Sequence, residues 1–314
     1  METPLATRSQ TEEESRRAHT QAVWLALLVT FLWATSWVLI KIGLQEVPAL
    51  TFAGLRYSLA FLCLLPLALR PASRARLRQI KRPEWLLLVL LGVVFYTLTQ
   101  GAQFLSLVYL PAATASLVLS FTPILVGLLG IGLLQEKPTA VQWGGTLLFL
   151  LGVGFYFYPF DLPGTSAVGL VIAGLGLLAN AAAALLGRKV NRSTHLDALQ
   201  VTVISMGVGG GLLLLAGLLV EGLPQLSWQS WLVVLWLAVI NSALAFTLWN
   251  FTLRSLAAYE SSLINNTMLF QIAILAWIFL GEGLGAGEVL GLLLAGIGIM
   301  VVGWRGPKTR QPDS

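Results

Sequence analysis

Ten long apolar stretches, separated by short polar connections, restrict this sequence more than any other feature. Each is close to the roughly 20 residues that a helix needs to cross the hydrocarbon core of a bilayer. No water is available there to bond the backbone, so a spanning segment satisfies its own peptide groups by coiling into a helix. The approximate spans are 22–42, 48–69, 85–106, 112–134, 141–159, 167–186, 199–220, 228–253, 257–280 and 289–304. Only 11% of the 314 residues are charged, against about 25% in soluble domains. No length remains for a separate soluble domain.

The expected fold is an all-α membrane protein of ten transmembrane helices in two inverted five-helix repeats. A polar tail over 1–21 precedes a first repeat over 22–160, and a second repeat over 161–304 precedes a tail over 305–314. The break between repeats is Asp161, Leu162, Pro163 and Gly164. The first apolar run is too long for a signal-peptide core of about 7 to 15 residues and reads as a retained helix.

Charge supports the same topology independently. Of the 19 Lys and Arg residues, 17 fall in the two tails and in alternate connections, six of them between Arg70 and Arg82. The opposite connections hold acids only, among them Glu46, Asp161, Glu221, Glu282 and Glu288. Under the positive-inside rule both termini are cytoplasmic and the protein is multi-pass in the cytoplasmic membrane. Trp24, Trp85, Trp143, Trp228 and Trp304 fall near span ends, where amphipathic rings favour the interface.

Shifting the sequence by 146 residues lays Pro111–Gly154 over Ala257–Met300 without a gap. Ala112, Ser116, Leu117, Glu136, Gly145, Leu147, Leu148 and Gly152 then match Ala258, Ser262, Leu263, Glu282, Gly291, Leu293, Leu294 and Gly298. Five spans per half is an odd number, so equivalent helices run in opposite directions, a recurring design of secondary transporters.

Several classes of function lack their chemistry. There is no Gly-Lys dipeptide and hence no Walker A loop. His19 and His195 lie far apart and form no HExxH site, and the single cysteine, Cys63, cannot form an intramolecular disulfide or a multi-cysteine metal site. No catalytic constellation, metal or cofactor is therefore expected, and the chain reads as no enzyme. Gly207 with Gly211 and Gly287 with Gly291 have the spacing of close helix packing.

Trp33, Ser36 and Lys41 in the first span, then Pro48 and Arg56, resemble the EamA-like family of the drug/metabolite transporters, as do two small-residue helices ending in glutamate, Ser116 to Glu136 and Ser262 to Glu282. The resemblance covers essentially the whole chain. It implies a ten-helix carrier of substrates such as amino acids, purines, nucleotide sugars or cationic drugs. Pro123, which would kink the fourth helix, has Leu269 as its repeat partner and departs from the symmetry.

The leading expectation is export of small metabolites, amino acids first, by alternating access. Nucleotide sugars, other anions and cationic drugs are the alternatives, and a membrane enzyme acting on lipid is the remote one. The expected partners are a small-molecule substrate and the lipid bilayer, with no nucleic acid; a homodimer is compatible with the sequence.

Polar residues inside the spans include Gln100, Gln103, Asn180, Asn241, Asn250, Asn265, Asn266 and Gln271. Helical spacing aligns Tyr96 with Gln100 and Gln103, Asn241 with Trp249, Ser262 with Asn266, and Trp33 with Trp37. These nine are the expected substrate-binding residues. Lys41 and Arg56 are the expected gating or charge residues: Lys41 can snorkel at a helix end, whereas Arg56 lies roughly two turns inside its span and needs a cavity or partner. Glu136 and Glu282 suit either helix-end capping or proton coupling, and Arg254 with Glu260 suits an interfacial pair. Reporter fusions at both termini and within the Arg70–Arg82 connection are expected to report cytoplasm, and an external C-terminus would refute ten spans.

Overall fold

A computed structural model describes residues 4–71, 77, 79–122, 124–126, 129, 139–158, 166–193, 196–252, 256, 264–265 and 267–303. Among these, regular structure is helical throughout. The helices are α1 (Pro4–Gly43), α2 (Ala49–Ala68), α3 (Arg82–Tyr109), α4 (Ala112–Val126, regular over Ala112–Leu119) and α5 (Ala140–Phe157). In the second half they are α6 (Ala167–Ser193), α7 (Ala198–Val220), α8 (Trp228–Ala238, continuing to Ala245–Thr252), α9 (Met268–Leu280) and α10 (Ala286–Gly303).

Six of these contain a stretch long and apolar enough to cross a bilayer, and four shorter apolar helices, in α4, α5, α9 and α10, complete the set among the described residues. Large apolar side chains such as Leu219, Val171, Trp277 and Phe279 face outward, a surface that suits lipid and not water. One difference from the sequence reading lies at the start. The segment expected as a polar tail is helical from Pro4, continuous with α1. Its run of Glu, Gln and Arg residues consists of good helix formers, whereas a search for apolarity sees only where lipid contact begins.

The helices interlock between halves. α1 packs on α8 and α9, and its repeat mate α6 packs on α3 and α4; α2 lies against α7, and α5 against α10. Each of the last two pairs joins repeat mates and therefore straddles the pseudo-two-fold axis. Glycine allows the approach. A Cβ at Gly152 would lie 2.6 Å from the Gly291 carbonyl oxygen, and one at Gly298, the repeat mate of Gly152, would lie 2.7 Å from the Gly145 oxygen. Between α2 and α7, a Cβ at Gly217 would lie 2.5 Å from the Thr51 nitrogen. Small residues that let backbones meet are the main packing device where lipid removes the hydrophobic drive between helices.

The repeat also extends further back than Pro111, since Trp85 in α3 falls over Trp231 in α8 under the same shift. Both helices contain a π-helical turn near the equivalent place, Gly92–Thr99 and Val239–Leu244. Such turns, with i to i+5 bonds, occur often at functional sites.

Gly152→Leu should part α5 from α10 and lower stability by about 1–3 kcal/mol, the usual range for overpacking. Gly154→Leu serves as the control, because a Cβ there meets nothing within 4 Å. Thermal unfolding of the purified pair in detergent checks the difference, and equal melting temperatures would count against the backbone contact.

Candidate functional site

On the side opposite the basic connections, acidic side chains reach across to helix starts. The Glu221 carboxylate, after α7, accepts from the backbone N–H groups of Leu50 (3.0 Å) and Thr51 (2.8 Å) and from the Thr51 hydroxyl (2.9 Å) at the start of α2. Both oxygens of Glu282, after α9, accept from the Ala112 N–H at 3.0 and 2.8 Å at the start of α4. Glu46, after α1, accepts from the hydroxyls of Ser227 and Ser230 at 2.6 Å each, at the start of α8. Those hydroxyls hold the Glu46 carboxylate below the usual carboxylate range, so the tie is complete at neutral pH and weakens as pH falls through the depressed value.

All three carboxylates bind across the halves, and all sit where a helix presents unbonded N–H groups and the positive end of its dipole. Glu282 thus has a capping role. Its repeat mate Glu136 lies outside the described residues, as do Pro123, Arg254 and Glu260. Lys41 does not reach out to lipid headgroups. Its Nζ donates to the Leu107 and Leu110 carbonyl oxygens at 2.7 and 2.5 Å, occupying the unbonded C-terminal carbonyls of α3. Ends of α1, α3, α7 and α9 and starts of α2, α4 and α8 are so drawn together on one side, here called the acidic face.

Beneath this closure lies a cavity of about 460 Å³, within the usual size of small-molecule sites. Its wall comes from α1, α2, α3, α4, α6, α8 and α9, hence from both halves. Trp33, Trp37, Arg56, Gln100 and Gln103 of the expected residues line it. Tyr57, Phe95, Ser116, Thr122, Asn180, Phe246 and Asn265 line it too. The Tyr57 hydroxyl donates to Gln100 Oε1 at 2.6 Å, and Asn180 Nδ2 donates to Thr122 Oγ1 at 3.0 Å. Trp33 packs 5.3 Å from Phe246 and 5.2 Å from Trp249, between ring centroids.

Other expected residues are placed behind this wall. Asn241 is fully buried. Its Nδ2 donates to the Leu32 carbonyl oxygen and, at 3.2 Å, to Thr35 Oγ1, while its backbone carbonyl oxygen accepts from Trp33 Nε1 at 3.1 Å. It therefore ties α8 to α1. Tyr96 is buried against Tyr57 and Phe95, with ring centroids 5.3 and 4.8 Å away. Trp249 supports Trp33 from behind. Ser262 and Asn266 lie outside the described residues. Tyr57 is the lining residue that sequence reasoning missed most clearly, and its signal was its place beside Arg56, at the same depth in α2.

A family model described as the EamA-like transporter family matches residues 20–158 and again 167–304. The chain belongs to that family. It is a multi-pass helical transporter with two repeats. It is 29% identical over 313 residues to the probable amino-acid metabolite efflux pump of Salmonella typhimurium, covering 92% of this chain and 97% of that one. It is 28% identical over 297 residues to the S-adenosylmethionine/S-adenosylhomocysteine transporter of Chlamydia trachomatis serovar L2 (90% and 88% covered). It is also 28% identical over 286 residues to the transporter YvbV of Bacillus subtilis (88% and 90% covered). A solved crystal structure shares the fold at TM-score 0.65, with 19% identity over 90% of this chain and 97% of that one.

Two substitutions separate the cavity wall from the residues behind it. Asn241→Ala should lower stability by about 1 kcal/mol, the usual scale of an interhelical hydrogen bond in a membrane bundle, and leave the affinity of the surviving protein unchanged. Gln100→Ala should cost a similar amount, since it removes the bond from the Tyr57 hydroxyl, and should in addition weaken substrate binding. Thermal unfolding and equilibrium binding on both purified variants test the assignment, and the reverse pattern would exchange their roles.

Proposed function

We propose that the protein is a secondary carrier that exports small metabolites, amino acids foremost, from the cytoplasm by alternating access. The observation that carries this reading is a cavity built from both halves and closed toward the acidic face by bonds that join one half to the other. An inverted repeat supports two such arrangements of similar energy, one closed at each face. The basic face is read as cytoplasmic from its Lys and Arg residues, so the arrangement described is the one closed to the outside.

The names of two relatives support the substrate class. One is named a probable amino-acid metabolite efflux pump, and the other a transporter of S-adenosylmethionine and S-adenosylhomocysteine, both of which bear an α-amino-acid group. The cavity matches such a molecule, since amides and hydroxyls orient a polar head while Trp33, Trp37, Phe95 and Phe246 receive an apolar body. Energy comes from a gradient or from a partner, because the sequence has no nucleotide-binding loop of its own. Counterflow of labelled amino acids into ATP-free proteoliposomes is the direct test. Uptake of one or more amino acids supports the reading, and exclusive uptake of amines or nucleosides would overturn it.

The closure makes its own prediction. Glu282→Gln keeps the shape of the cap and removes its charge, a loss of about 1 kcal/mol at a helix start, or roughly a five-fold shift toward the form open at the acidic face. Labelling of Ser116→Cys by an impermeant maleimide added outside, in a Cys63→Ala background, should therefore accelerate several-fold with Glu282→Gln. An unchanged rate would remove Glu282 from the closure.

A further inference from the structure

Arg56 is 3% exposed and lines the cavity, and among the described residues no carboxylate pairs with it. Nor does the sequence hold one at its depth. Every Asp and Glu sits beyond a span or, as Glu260 does at the basic end of the ninth, within its first turn, and on the acidic face Glu46, Glu221 and Glu282 are engaged at helix starts. A charge inside a span without a partner is costly and as a rule faces a cavity with a function.

The orientation of this guanidinium is fixed. Its Nε donates to the Ser242 hydroxyl at 2.9 Å, from the π-helical turn of α8. Its central carbon lies 5.1 Å from the Tyr57 ring centroid and 6.0 Å from that of Phe104. Nε is thereby used, and the two Nη groups have no acceptor among the described residues. Two parallel N–H bonds in a rigid fork are complementary to a carboxylate, which accepts them side by side.

We propose that Arg56 is the carboxylate anchor of the transport cavity, which admits molecules with one free carboxylate and an apolar or aromatic body and disfavours cations that lack a carboxylate. The proposal rests on the reading of this cavity as the transport site and deepens it. A carboxylate fits better than a phosphate monoester, because a dianion needs a second cation. The other basic residue inside a span, Lys41, is bound to the carbonyls that end α3. A cationic drug would instead meet a fixed positive charge with no acidic side chain among the described lining residues to offset it.

The test uses four probes with one body, namely L-phenylalanine, 3-phenylpropanoate, L-phenylalaninamide and phenethylamine, with phenyl phosphate as a fifth. Binding is measured by calorimetry on the full-length protein in detergent. Wild type should bind the two carboxylates at least about ten-fold more tightly than the amide and the amine, the usual scale for a charge-assisted pair. Arg56→Met should bring the ratio of acid to amide near one, and Arg56→Lys should retain part of it.

Equal affinity for acid and amide in wild type overturns the proposal without need of a variant, so a poorly folding Arg56→Met does not protect it. Equal losses for acid and amide in Arg56→Met overturn it as well, since a structural role lowers both. So does tighter binding of phenyl phosphate than of either carboxylate, or failure of both carboxylates to bind. Binding of 3-phenylpropanoate but not L-phenylalanine upholds the anchor and overturns amino-acid export, so the two failures are distinguishable.

Discussion

A helix in lipid satisfies its interior backbone by itself, but the first N–H groups and last carbonyls of each helix have no partner within it. How those ends are satisfied decides much of this architecture. At the basic face, α3 and α7 begin with local caps, in which Glu84 accepts from the Lys81 N–H and Gln200 from the Asp197 N–H. At the acidic face, α2, α4 and α8 receive carboxylates from the opposite half. At α2 and α4 the bonds that finish the helix are therefore also bonds that close the face, while at α8 the Ser230 N–H is capped locally by Ser227 Oγ and Glu46 binds the two serine hydroxyls. The caps made by Glu221 and Glu282 contribute on the order of 1 kcal/mol each, and water at the membrane surface can replace the carboxylate when the face opens. A closure made of such contacts is firm enough to hold one state and weak enough to be exchanged for another.

Glycine divides the remaining labour. α5 and α10 meet backbone to backbone through Gly145, Gly152, Gly291 and Gly298, and neither contributes a described residue to the cavity. The pair of repeat mates on the other side of the axis, α2 and α7, is also in close approach at Gly54, Gly210 and Gly217, but α2 turns Arg56 and Tyr57 inward. Close contact across the axis keeps two halves together while larger side chains on α1, α3, α4, α6, α8 and α9 leave room between them.

Much of this was legible in the sequence, because the bilayer imposes a length and a polarity that few other environments impose. The spans, the inverted repeat and the intramembrane charge of Arg56 all derive from that restriction, and helical spacing aligns Trp33 with Trp37 and Gln100 with Gln103, which line the cavity. Tyr96 and Asn241 were harder for one physical reason. Both sit in the π-helical turns, Gly92–Thr99 and Val239–Leu244, where the wider turn rotates the later part of the helix relative to the earlier part. Spacings of four and eight residues no longer mark one face across such a turn. Tyr96 is consequently turned behind Gln100, and Asn241 and Trp249 do not stand together in the wall. Nothing in residue type announces a π turn, so helical spacing alone could not separate wall from support.

Symmetry holds for the backbone and fails for the side chains, and the two facts serve different needs. Under the 146-residue shift Gln100 falls on Phe246, Gln103 on Trp249 and Tyr96 on Ser242. Gln100 and Phe246 both line the cavity, one offering an amide and the other an aromatic face. Ser242 reaches the Arg56 Nε, whereas Tyr96 packs against Tyr57. Two equivalent scaffolds of opposite direction permit two states of similar energy. A substrate held between identical walls, however, would have no preferred orientation. Divergence at positions such as Gln100 and Phe246 sets a hydrogen-bonding group in one half where the other offers an apolar one, so a molecule with a polar head and an apolar body meets different partners at equivalent places of the two-fold scaffold.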